Sequence, residues 1–248
     1  MCSKRNEKMM KKTTFLPAIA ILAGAMVATF TACQEDDETK NQVMPERTGT
    51  FTDIRDGEQY GYVNYGGLDW MTENMRYDIH DDVNSTIYLD SDENNSSSAG
   101  SNPGSTRNLA RYGRLYTLKG ARMACPEGWR LPTDNDWQRL EQALGMDARD
   151  TSRDGWRGCI APSMVSVYED KSFLNLLLGG YFFLRRGVGG DWLYMGVYGY
   201  YWTDTADENK GGEFYFVRKI TYNRREVCRM SMEPTNYKLS VRYVREAL

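Results

Sequence analysis

From about residue 150 the chain becomes a series of short aromatic runs cut by glycine. These are Gly179-Gly180-Tyr181-Phe182-Phe183-Leu184, Tyr198 to Trp202, Phe214-Tyr215-Phe216-Val217 and Leu239-Ser240-Val241-Arg242-Tyr243-Val244. Aromatic and β-branched residues suit a pleated surface, and glycine supplies the turns between strands. The pattern also appears earlier. Thr52-Asp53-Ile54-Arg55-Asp56-Gly57-Glu58-Gln59-Tyr60 reads as strand, Asp-Gly turn, strand, continued by Tyr62, Val63 and Tyr65 and then by Leu68-Asp69-Trp70-Met71. Two helices interrupt the strands. Leu115 to Met123 has helical character and ends before Cys125-Pro126, because proline restricts the residue before it. Thr133 caps the second helix, with Asp136 closing a capping box. Trp137, Leu140 and Leu144 then form one apolar stripe, and Gly145 ends it. Residues 91–108 read as a surface loop, since Ser91 to Gly104 offers nothing to pack. Helices early and strands late indicate an α+β class, with two helices packed on short twisted antiparallel strands and long loops.

The start of the chain belongs to a different kind of segment. Lys4, Arg5, Lys8, Lys11 and Lys12 precede an apolar run, Phe15 to Phe30, of about sixteen residues. That is short of the roughly twenty needed to span a bilayer, and the pattern is that of a secretory signal. The junction Phe30-Thr31-Ala32-Cys33 resembles a bacterial lipobox, with Phe30 where Leu, Val or Ile is usual. Residues 1–32 are therefore expected to be a lipoprotein signal peptide and Cys33 the lipidated first residue. Acyl anchoring contributes about 0.8 kcal/mol per buried CH₂, and stable residence takes two chains. Gln34-Glu35-Asp36-Asp37-Glu38 resembles the export signal of surface lipoproteins in Bacteroidetes. The expected location is the outer membrane, lipid-anchored and facing outward. Residues 33–48 read as a flexible acidic tether, too poor in apolar surface to offset the entropy of ordering.

Residues 49–248 are long enough for one domain core. Removing residues 1–32 takes five Lys/Arg and one Glu from 31 basic and 34 acidic residues, leaving a net charge of −7. An acidic surface argues against a nucleic-acid partner. Cys125, Cys159 and Cys228 are an odd count for an oxidising compartment. One disulfide and one free thiol are expected, with three pairings open.

Several motifs in order carry a family resemblance. They are Gly49 to Tyr60, Trp70-Met71-Thr72-Glu73-Asn74-Met75, Tyr112-Gly113-Arg114-Leu115-Tyr116 and Cys125-Pro126-Glu127-Gly128-Trp129-Arg130-Leu131-Pro132-Thr133. Trp137, Gly179-Gly180-Tyr181, Tyr201-Trp202-Thr203 and Ser240-Val241-Arg242 continue the series. Over residues 49–245 the chain resembles the Fibrobacter succinogenes major paralogous domain (FISUMP), found mostly in lipoproteins of Bacteroidetes and Fibrobacteres and without an established general activity. That family is similar to C-type lectin-like domains, which implies a C-type lectin-like fold for residues 49–248. The family usually closes Ser-Val-Arg-Cys, whose Cys can pair with the one before Pro-x-Gly-Trp. Tyr243 replaces it here. The resemblance therefore implies a Cys159–Cys228 bond with Cys125 buried and free. Cys125–Cys228 is the second choice.

The residues place no catalytic set. His80, the single histidine, sits in the polar Ile79-His80-Asp81-Asp82, and no carboxylate pair stands out for glycosidase chemistry. No zinc spacing occurs. Asp90 to Ser101 lacks the Gly and Glu of an EF-hand loop. Calcium stays open through the lectin-like resemblance, with partial likenesses at Glu233-Pro234-Thr235-Asn236 and Trp202-Thr203-Asp204. Gly187-Val188-Gly189-Gly190 is a turn. The remaining signal is aromatic density. Tyr194, Tyr198, Tyr200, Tyr201 and Trp192 are the candidate ligand-binding residues, offering rigid area with polar tips. Together these features suggest a surface lipoprotein carrying a non-catalytic binding module for an extracellular glycan or protein. A structural or adhesin subunit, and a polysaccharide-active enzyme, are the alternatives.

Overall fold

The structure, a computed structural model, describes residues 42–89, 103–166, 172–185 and 189–247. Cys33 and the Asp90–Ser101 loop lie outside them. β1 (Thr48–Thr52) and β2 (Gln59–Tyr65) form the hairpin read from the sequence, closed where Gly57 takes φ 78° and donates its N–H to Asp53 O at 2.8 Å. β3 (Leu68–Met71) continues it antiparallel, and β4 is Ser85–Thr86. The tether expected to end at residue 48 is already tied to the domain at Val43. Tyr65 Oη donates to Val43 O at 2.8 Å, and Arg47 forks onto Asp69 at 3.0 and 2.7 Å.

Helix α1 (Pro103–Tyr112) starts inside the segment read as loop. Its apolar residues, Leu109, Ala110 and Tyr112, come only in the last turn, and its start is marked by a proline suited to the first helical position. Leu115–Tyr116 is strand β5, paired with β4, and helix α2 is only Leu118–Met123, capped by Thr117. Helix α3 (Asp134–Ala143) matches expectation, with both halves of the Thr133/Asp136 capping box formed. Then come α4 (Ala148–Thr151), β6 (Gly155–Arg157), α5 (Ala161–Met164), β7 (Gly179–Arg185), β8 (Gly189–Met195) and β9 (Tyr198–Ala206). β10 (Tyr215–Thr221), β11 (Val227–Met232), β12 (Tyr237–Lys238) and β13 (Val244–Glu246) finish the described chain. The class is α+β, mostly strand, but the described residues hold five short helices rather than two. None is long and apolar enough to cross a membrane.

Two main sheets result, β1-β2-β3-β13 and a seven-stranded sheet ordered β12-β7-β9-β10-β11-β6 with β8 on β7. The closing run does not form one strand. Leu239 bridges Tyr116, Ser240 bridges Tyr201, and Val244 bridges Arg130 before β13 joins β3. Alternation in β9 sets the two cores. Tyr201 joins Trp70, Trp137, Leu140, Ile220 and Val227 beneath α3. Trp202 points the other way, to Tyr116, Leu118, Val217 and Tyr243. Gly180 is required where β7 meets β8 and β9. It takes φ 64°, and a Cβ there would stand 2.2 Å from Leu193 O.

Beneath α3 the seven-stranded sheet also buries charge. Glu141 accepts from Arg157 and Arg218, each at 2.7 Å. Asp134 accepts from Arg218 at 2.7 Å and from Arg229 at 2.9 Å. Arg157, Arg218 and Glu141 are fully buried.

Candidate functional site

The face of the seven-stranded sheet turned away from α3 carries an interlinked strip of rings. Tyr237 and Phe183 lie 4.9 Å apart between centroids, and Tyr181 lies 5.5 Å from Tyr237. Tyr181 meets Tyr200 at 5.2 Å and Tyr194 at 5.6 Å, and Tyr194 meets Tyr198 at 5.4 Å. The strip then runs into Lys219, whose Nζ sits 4.0 Å from the Tyr198 centroid, and on to Trp156 at 5.6 Å. Strand register makes this continuity. Tyr200 pairs with Lys219, Lys219 with Cys228 and Cys228 with Trp156, so their side chains share one face.

Tyr194 is 47 % exposed and Tyr198 half-buried, so both present ring surface outward. Tyr194 also holds φ 65°, a left-handed conformation that costs a non-glycine residue about 1–2 kcal/mol. Three of the five sequence candidates differ from expectation. Tyr201 is fully buried on the opposite face, where its hydroxyl accepts from Leu177 N and donates to Leu177 O at 2.7 Å. It is a core residue, as the two-residue period of β9 dictates. Tyr200 is buried as the floor beneath its neighbours. Trp192 is paired with Phe182 on another face, its Nε1 donating to Ile87 O at 2.7 Å. Tyr181, Tyr237, Lys219 and Trp156 were missed because strand pairing, not sequence proximity, brings them to the strip.

Electrostatically the strip is poor in carboxylates. Burial lowers the pKa of Lys219, and burial raises that of Tyr181 and of Cys228. Near the β8–β9 turn, Arg111, Tyr112, Leu177, Leu178, Gly196 and Tyr222 line a cleft of about 210 Å³. A second cleft, about 340 Å³, lies between the β1–β2 turn and Pro126–Gly128. Its one buried carboxylate, Asp53, has both oxygens engaged by Arg55 at 2.9 and 2.6 Å.

In the calcium likenesses both oxygens of Glu233 and one of Asp204 are engaged within the protein. Glu233 accepts from Thr235 N, Thr235 Oγ1 and Asn236 N, and Asp204 accepts from Arg122 at 2.6 Å. Among the described residues no three His, Cys, Asp or Glu side chains converge as a metal set. His80 is an exposed loop residue at φ 52°.

Both expected disulfides are absent, because Cys125 and Cys228 are free thiols. Cys228 faces Trp156 in register, three residues before Cys159. Cys125 is partly buried beside Tyr243, whose hydroxyl donates to Ala121 O at 2.5 Å, and burial pushes its pKa up to about 11.

No curated protein and no solved structure matches the chain. The Fibrobacter succinogenes major domain matches it over residues 63–245, from the middle of β2 to β13, and the chain belongs to that family.

Proposed function

We propose that this chain is a lipid-anchored protein of the outer cell surface whose aromatic strip binds an extracellular glycan without chemical turnover. The observation that carries the reading is the pair of outward rings, Tyr194 and Tyr198, seated on a floor of buried Tyr200 and half-buried Tyr181. Packed rings of this kind give a ligand rigid apolar area at low entropic cost, and each hydroxyl adds a hydrogen bond. A C-type lectin-like arrangement accords with helix α3 following Arg130-Leu131-Pro132-Thr133 and packing on short sheets. The full-length chain and its Tyr198→Ala variant, compared on a glycan array, test this. Wild type binds a defined glycan set, and Tyr198→Ala weakens binding about tenfold or more while leaving the unfolding midpoint within a few degrees. Wild type binding no glycan, with pull-downs recovering an envelope protein instead, would replace this reading with that of an adhesin subunit.

The anchor is tested separately. Cys33→Ala abolishes incorporation of labelled palmitate and releases the protein from the membrane fraction, since a polar tether alone has no membrane affinity. Labelling that persists in Cys33→Ala would move the acylation site or remove it from the account.

A further inference from the structure

Lys219 is a cation without a carboxylate. Across β10–β11 its register partner is Cys228, and the groups that act on its charge are Cys228 and Arg224, neither of them acidic at neutral pH. Three rings surround it instead, Tyr198 at 4.0 Å, Tyr200 at 5.4 Å and Trp156 at 5.6 Å. Trp156 also meets a second cation, with Arg224 Cζ 4.9 Å from its centroid. The nearest carboxylate oxygen to Arg224, from Glu226, stands 3.9 Å away, too far for a hydrogen bond. Several arginines elsewhere are matched closely, as in Arg47–Asp69 at 2.7 Å, Arg122–Asp204 at 2.6 Å and Arg130–Asp136 at 2.5 Å. One end of the strip therefore carries an unmatched Lys219 and a loosely matched Arg224.

A ring face holds an ammonium in place without neutralising it. The cation is thereby half-desolvated and pre-positioned, and an anion arriving there gains a charge-assisted bond in a medium less screening than water. We infer that this end of the strip selects acidic glycans. Tyr194 and Tyr198 take a sugar ring face, while Lys219 and Arg224 meet a carboxylate or sulfate carried by the same or the next sugar. The inference rests on the glycan reading of the strip and deepens it to a ligand class.

Matched polymer pairs provide the test, with the full-length chain at physiological salt. Polygalacturonate against its methyl ester varies the carboxylate, and dextran sulfate against dextran varies the sulfate. The acidic member of at least one pair binds roughly tenfold tighter than its neutral partner. Lys219→Gln removes most of that preference and flattens its salt dependence, Lys219→Arg restores it, and Tyr198→Ala weakens both members of the pair. Equal binding of acidic and neutral members, unchanged in Lys219→Gln, overturns the anion preference and leaves the glycan site standing. Acidic binding that ignores both Tyr198→Ala and Lys219→Gln is diffuse polyelectrolyte attraction and also overturns it. If no polymer of either pair and no array glycan binds, the glycan reading fails and this inference with it.

Discussion

Glu141→Ala lowers the thermal unfolding midpoint by about 10 °C, followed by far-ultraviolet circular dichroism. Glu141 is fully buried and neutralises two guanidinium groups at once, Arg157 through one oxygen and Arg218 through the other, each at 2.7 Å. Its removal leaves a buried positive charge on Arg157 with only the carbonyls of Thr151 and Val227 for partners. Breaking one side of a buried pair costs about 3–5 kcal/mol, and about 2–4 °C accompanies each kcal/mol in a domain of this size. Asp154→Ala is the contrast. Its carboxylate reaches Arg229 at 2.5 Å but is 71 % exposed, so the midpoint moves by less than about 3 °C. Equal losses from the two variants would show that the network does not hold α3 to the sheet.

The same network predicts a pH signature. Burial alone would raise the Asp134 carboxyl, but hydrogen bonds and charge from Arg229 and Arg218 outweigh it and hold the pKa below 3.8. A folded-state pKa below the unfolded one means that the stabilisation is present above 3.8 and lost as pH falls through the folded value. The stability gap between wild type and Asp134→Asn is therefore full at pH 7, still full at pH 5, and closes only below about pH 4. A gap that shrank between pH 7 and 5 would assign the effect to another group.

Arg242→Lys loses about 3 kcal/mol in urea unfolding, although charge is conserved. The guanidinium is fully buried and its hydrogen bonds go to neutral oxygens on two separate segments. Nε donates to Asn74 Oδ1 at 2.6 Å, Nη1 to Met71 O and Leu174 O at 2.8 and 3.0 Å, and Nη2 to Asn175 O at 2.5 Å. These oxygens fix the β3 exit and the 174–175 turn against the closing run. A lysine ammonium is a single point with three donors, so it cannot span four acceptors laid out for a planar fork. Each buried acceptor left unsatisfied costs about 1–3 kcal/mol. A loss below about 1 kcal/mol would mean that these carbonyls find water or other donors, and the fork would then be dispensable.

What was legible in the sequence is what local chemistry decides. Helix α3 announced itself through Thr133, Asp136 and the Trp137–Leu140–Leu144 stripe, and the first hairpin through Asp56-Gly57, because caps and turns are made within a few residues. α1 was missed because its apolar residues, Leu109, Ala110 and Tyr112, all fall in its last turn. The closing run read as one strand since nothing in Leu239 to Val244 says that its bridges go in turn to Tyr116, Tyr201 and Arg130. The site divides in the same way. Tyr194 and Tyr198 could be picked from aromatic density, and period-two alternation would have removed Tyr201. Lys219 and Trp156 join the strip only through register across β9, β10, β11 and β6, which is a property of the finished sheet.

The dispersed bridges of Leu239 to Val244 also set a clock. Among the described residues these are nearly the last to leave the ribosome, yet they hydrogen-bond to Met75, Tyr116, Arg130 and Tyr200, far earlier in the chain. A nascent chain that ends before Ser240 has β3, β5 and β9 already made but lacks the backbone bonds that the closing run gives to Met75, Arg130 and Tyr200. Closure of this domain therefore waits for residues 239–244, and its slow step is their arrival rather than the formation of any one sheet.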